Sequence, residues 1–254
     1  MRTSFPAVRT TPAPPHARRE WRARVVLLAT ATIMLAVGAA GQPTPGSIQP
    51  APIARAAGYP GPLVVRPEGT GEISKAYGTP VWAASVTAVD KTFADVNVLL
   101  TDGGSFLTSA VRQRFDEAIA APQRYVAAIR RDIVGRLARA GDAEDRSQAE
   151  HELRELDRLR AHSRFVEAVR LPNRRRGYSA ILGFSRFDTT FATVLPSPDG
   201  RYELLVSVAT PFEANAMPAS APSRRYRQRL RDHPLATVEA IALSIYRQLF
   251  PAPQ

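Results

Sequence analysis

From Pro80 to Thr101 apolar residues recur at every second position. Trp82, Ala84, Val86 and Ala88 share one face, Val96, Val98 and Leu100 alternate after them, and Asp90-Lys91 is the strong polar break between the two runs. A period of two marks half-buried strands, so a hairpin is expected here. The competing reading is one helix over Val81 to Leu99, because alanine is frequent.

At Asp102-Gly103-Gly104-Ser105 the period changes to about 3.6. Val111, Phe115, Ala118 and Ile119 form one helical stripe. Tyr125, Val126, Ile129, Ile133, Val134 and Leu137 form a second after Pro122, which suits a kink or a first helical turn. Gly141-Asp142 closes that helix and opens the next, with Asp142 as the expected N-cap and Glu144 and Asp145 in the first turn, where the helix dipole favours acids. Leu153, Leu156, Leu159, Val166 and Val169 carry the stripe to Leu171-Pro172-Asn173. The expected unit is a long helical hairpin, with the mixed charges Glu152, Arg154, Glu155, Asp157, Arg158 and Arg160 on its polar face.

Beyond Arg174-Arg175-Arg176-Gly177 the period returns to two. Strands are expected over Tyr178 to Phe187, Thr190 to Leu195 and Arg201 to Thr210, with Pro196-Ser197-Pro198-Asp199-Gly200 turning the last pair into an antiparallel hairpin. Pro211 to Ser223 reads as a loop. A final helix starting around Asp232 to Pro234 carries Leu235, Val238, Ile241, Ile245 and Leu249 on one side and stops at Pro251. The fold class is therefore α+β: an antiparallel sheet, built from an N-terminal hairpin and a C-terminal meander, with an inserted helical hairpin and a C-terminal helix.

The N-terminal part follows other rules. Residues 1–24 form a basic leader, ending in Arg18, Arg19, Arg22 and Arg24, and residues 25–40 are sixteen residues without a charge. Sixteen helical residues span roughly 24 Å, short of the roughly 30 Å apolar layer of a bilayer. Gly38-Ala39-Ala40 supplies small residues of the kind cleaved by a signal peptidase, so an export signal cut near Ala40 is expected, with an uncleaved inner-membrane anchor as the alternative. Either places the remainder in the periplasm or outside the cell. Residues 41–67 hold seven prolines and read as a linker, leaving residues 68–251 as a single exported domain.

Composition narrows the chemistry. The chain has no cysteine, which excludes disulfides and thiol catalysis. Its net charge of +11 includes +5 from residues 1–40, leaving +6 for the rest. For an exported chain a basic balance points to anionic lipid, lipopolysaccharide or acidic wall polymer rather than to nucleic acid, and an envelope protein is the other expected partner.

Of the four histidines, His16 lies in the leader. His151 lacks a second histidine one helical turn away, His162 stands about 16 Å further along the same helix, and His233 precedes a helix start, so no metal site is expected. No phosphate loop, dinucleotide fingerprint or Gly-x-Ser-x-Gly elbow is present. Asp116-Glu117 and Glu144-Asp145 read as solvated faces. Ser105, between a strand and a helix, is the one candidate nucleophile, with His151 or His233 as its base; its plainer reading is a turn in which Ser105 or Thr108 caps the helix.

Unbalanced arginine runs are the remaining signal. Arg174, Arg175 and Arg176, and then Arg224, Arg225, Arg227, Arg229 and Arg231, carry no interleaved acid before Asp232. They are the candidate binding residues, and they form one patch only if the fold brings them together. The expected function is an exported cell-envelope binding or scaffolding protein without a catalytic site or cofactor. The alternatives are a periplasmic hydrolase built on Ser105, or a subunit docking through an exposed Leu153 to Val169 stripe.

Overall fold

The two alternating stretches pair into one sheet. In a computed structural model, residues 48–69, 74–88, 93–162, 164–171, 175–184, 188–211 and 221–251 are described, all within the compact unit Ala40–Gln254. The leader, the apolar run and residues 41–47 lie outside the described residues. Among the described residues no helix is long and apolar enough to cross a membrane.

The strands are β1 (Leu63–Pro67), β2 (Pro80–Ala88), β3 (Asp95–Asp102), β4 (Val166–Arg170), β5 (Arg176–Phe184), β6 (Asp188–Pro196) and β7 (Tyr202–Pro211). They lie in the order β1-β2-β3-β7-β6-β5-β4, every neighbouring pair antiparallel. The chain leaves β3, builds its helical hairpin, re-enters at the far edge as β4 and meanders back until β7 pairs with β3. The fold is α+β, with the expected hairpin and meander in place.

The helices are α1 (Pro50–Ala57), the single turns α2 (Ser74–Tyr77) and α3 (Gly103–Phe106), α4 (Ala110–Ala120), α5 (Pro122–Ala138), α6 (Ala143–His162), α7 (Ala221–Asp232) and α8 (Pro234–Leu249). Period two gives the sheet two apolar faces. Val86, Val98, Leu100, Leu204, Val206 and Val208 bury one against α8 and α1, through Ile53, Val238, Ile241 and Ile245. Ala83, Leu99, Val194 and Leu205 bury the other against Phe106, Val111 and Phe115. Covering both faces is what lets a single sheet hold a core of this size.

The hairpin α5–α6 is joined by a half-buried ion pair. Arg136 donates through both terminal nitrogens to Glu152, which is fully buried and also accepts from Gln148. Asp142 caps α6 by accepting from the Asp145 amide at 2.7 Å, as its position predicted. Pro122 occupies the first turn of α5, where its missing N–H costs nothing. Val134, counted on the α5 stripe, is instead 41% exposed.

Several expectations are corrected. Residues 48–67 are not linker: Ile48, Ile53, Ala54, Ala57, Tyr59 and Leu63 are buried. The prolines mislead because they fall where folded chains accept them, Pro50 and Pro52 at the start of α1 and Pro67 at the end of an edge strand. Val166 and Val169 belong to β4 rather than to the helix, which ends at His162. Two β-branched residues around alanine fit an edge strand as well as a helix. The loop expected up to Ser223 gives way at Ala221 to α7, whose arginines hide the helical spacing of Tyr226 and Leu230.

Candidate functional site

The second arginine run is helical, and its apolar residues explain how it is held. Tyr226 and Leu230 are one turn apart and buried. The Ala94 amide donates to the Tyr226 hydroxyl at 3.2 Å, and the ring stacks on Phe93 at 5.0 Å and meets Tyr59 edge-on at 5.4 Å. Burial pushes the Tyr226 hydroxyl far above its ordinary titration range. Arg229 donates to the Ala56 carbonyl at 3.1 Å, at the C-terminal end of α1 where a cation is favoured. Arg158 on α6 donates to the Arg231 carbonyl at 2.9 Å. With this side fixed, Arg224, Arg225 and Arg231 are exposed, while Arg227 and Arg229 are half-buried.

Beside α7 lies a cleft of 380 Å³ lined by Arg160, Arg164, Glu167, Asp232 and His233, with the first turn of α8 at its wall. The hydrogen bond from Arg231 holds the Asp232 carboxyl below the usual range. Glu239, further along α8, is pushed up by burial and by the nearby Glu167. Arg160 and Arg164 line the same cleft as Asp232 and extend the α7 surface; in the sequence Arg160 is masked by the acids that alternate with the α6 arginines, and Arg164 stands outside both runs.

The first arginine run lies elsewhere. Arg174 is outside the described residues. Arg176 stands opposite Arg170 in the β4–β5 ladder, and both are exposed. Arg175 packs over Gly200 in the β6–β7 turn; a side chain at Gly200 would collide with the guanidinium, and its φ of 77° also favours glycine. Arg201 lies over the Tyr202 ring at 5.2 Å. Asp199 accepts from the Ser197 hydroxyl and the Arg201 amide in this turn, and the Ser197 bond is the main reason its carboxyl is held low.

Glu203 follows at the start of β7. Its Oε2 is buried without a hydrogen-bond partner, and burial pushes its carboxyl to about 7 although Arg112 and Arg175 pull the other way.

The two runs do not meet. Arg175 sits at the turn entering β7, whereas Tyr226 holds α7 at Ala94, the residue entering β3 from the other end of the sheet. The eight residues of β3 separate them, about 26 Å at strand rise.

Ser105 is a structural residue of a turn. Its hydroxyl donates to the Asp102 carbonyl at 2.9 Å and accepts from the Thr79 amide at 2.6 Å. The expected caps also shift: Asp102 caps α3, and Ser109, rather than Ser105 or Thr108, caps α4 by accepting from the Arg112 amide at 3.1 Å. Of the proposed bases, His233 begins α8, whose far end reaches Pro196 through Tyr246, so the length of α8 lies between it and the Ser105 end of the sheet. His151 belongs to α6, whose apolar residues join the core on the face opposite Phe106. The Leu153 to Val169 stripe also turns inward, with Leu156, Leu159 and Val169 buried. Among the described residues no cluster of three or more His, Asp or Glu is placed to hold a metal ion.

The chain matches no protein-family model, no curated protein and no solved structure.

Proposed function

We propose that this chain is an exported cell-envelope binding or scaffolding protein whose domain docks through α7 onto a surface bearing anionic phosphate groups, such as acidic lipid or lipopolysaccharide. Export rests on the basic leader and the apolar run of residues 25–40. Docking is supported by one observation above all: Tyr226 and Leu230 lock one side of α7 into the core, and the opposite side presents Arg224, Arg225 and Arg231, of which Arg231 pairs with Asp232, while Asp95 is a further acid near Tyr226. Exposed guanidiniums on a rigid element suit phosphate, which they meet with paired donors, at little entropic cost in ordering the backbone.

The test uses the chain from Ala40 on, which contains both hydrophobic cores and lacks the leader, itself basic and apolar. Sedimentation with phosphatidylglycerol vesicles at low ionic strength should carry the protein down, and phosphatidylcholine vesicles should leave it in solution. Equal binding to both lipids would contradict a charge-driven mode.

A further inference from the structure

Arg170, Arg176 and Arg201 are exposed at one end of the sheet, with Arg175 over Gly200 beside them. Arg224, Arg225 and Arg231 are exposed at the other, with Arg160 and Arg164 next to them. Acids accompany both groups, fewer in each case than the arginines: Asp102, Asp199 and Glu203 at the first, and Asp95, Glu155, Glu167 and Asp232 at the second. Yet Glu155 is engaged by Arg158 and Asp232 by Arg231, and burial disfavours charge on Glu203. Each end therefore keeps an arginine excess, and the strands hold the two ends about 26 Å apart. At 0.1 M salt the screening length is about 10 Å, so each end meets its own surroundings independently of the other.

A flat surface lying across one end of the strands meets the arginines of that end, and the other group stands the length of the strands away. Resting on the docking reading above, we infer that the domain is a two-ended bridge that joins two anionic lipid surfaces, one at α7 and one at the β4–β5 and β6–β7 turns. One folded unit suffices, and the sheet is its rigid spacer. The two ends are unequal: α7 is the stronger contact, and the turn end is what converts binding into bridging.

The experiment mixes two dye-labelled populations of phosphatidylglycerol vesicles with the chain from Ala40 on at low ionic strength. Energy transfer between the dyes reports clustering, and sedimentation reports binding. The expected result is clustering at low protein-to-lipid ratio that fades when excess protein coats every vesicle and disperses on adding salt. Arg170→Glu/Arg176→Glu should retain binding and lose clustering, whereas Arg224→Glu/Arg225→Glu should lose most of both. Arg170→Gln/Arg176→Gln repeats the first test without charge reversal, and an unchanged melting temperature confirms folding. Binding without clustering by the unaltered protein overturns the bridge and leaves docking intact. Clustering that survives both turn-end variants overturns it as well, since a second copy of the chain then supplies the second contact. Absence of any binding removes docking and bridge together.

Discussion

The Ala94 amide donates to the hydroxyl of Tyr226, 132 residues away, and so ties the arginine helix to the entrance of β3. This bond and the rings of Tyr59 and Phe93 make α7 part of the core rather than a surface loop. Tyr226→Phe keeps the ring and removes the bond, at an expected cost of about 1 kcal/mol. Tyr226→Ala should cost about 3–5 kcal/mol in urea denaturation. Equal, small effects of the two would show that the ring is not packed as described.

Arg136 and Glu152 hold the helical hairpin together, and Glu152 has no exposure to water. Arg136→Ala leaves that carboxylate without its guanidinium and should destabilise the domain by about 2–4 kcal/mol. The double change Arg136→Met/Glu152→Leu should recover most of the loss, because the charge that must be buried is gone. A double variant as unstable as the single one would contradict this account.

Glu203 gives the stability a pH dependence of known sign. Its folded value, about 7, lies above its ordinary 4.5, so its favourable contribution is complete below about pH 4.5 and is lost as pH rises through about 7. Glu203→Gln should therefore stabilise the protein at pH 8, by about 2 kcal/mol after allowing for solvent screening, and change little at pH 4. Denaturation at the two pH values measures the difference. A variant that is less stable than the parent at pH 8 would mean that Arg112 and Arg175 outweigh burial.

Ser105→Ala removes the acceptor for the Thr79 amide and the donor to the Asp102 carbonyl. The expected loss is about 1–2 kcal/mol of stability, measured by thermal unfolding. A cellular defect with unchanged stability would instead revive the nucleophile reading.

The strands and long helices were legible in the sequence where one face of an element is more apolar than the other. Trp82 to Ala88, Val96 to Leu100 and Tyr202 to Val208 alternate for that reason, and the Pro196 to Gly200 turn is written in its own residues. Legibility failed where composition masked packing. Proline hid α1, and arginine hid α7, in which Tyr226 and Leu230 are the only buried residues of the described side chains. β4 was lost to a stripe that fits either period. In the candidate site the α7 arginines stood out as an unbalanced run. Arg160, Arg164, Arg170 and Arg201 did not, because the fold rather than the chain brings them beside the runs. Glu203 was likewise unreadable, since a carboxylate in an alternating strand betrays neither its burial nor the two arginines that face it.

The most direct measurement is the affinity of the chain from Ala40 on for phosphatidylglycerol vesicles as a function of salt, for the unaltered protein and for Arg224→Glu/Arg225→Glu. Each arginine near an anionic bilayer contributes on the order of 1 kcal/mol, so the double reversal should weaken binding at low salt by about thirtyfold or more. It should also flatten the dependence on salt while leaving the melting temperature unchanged. Binding of equal strength and equal salt dependence in both proteins would contradict the claim that α7 is the docking surface.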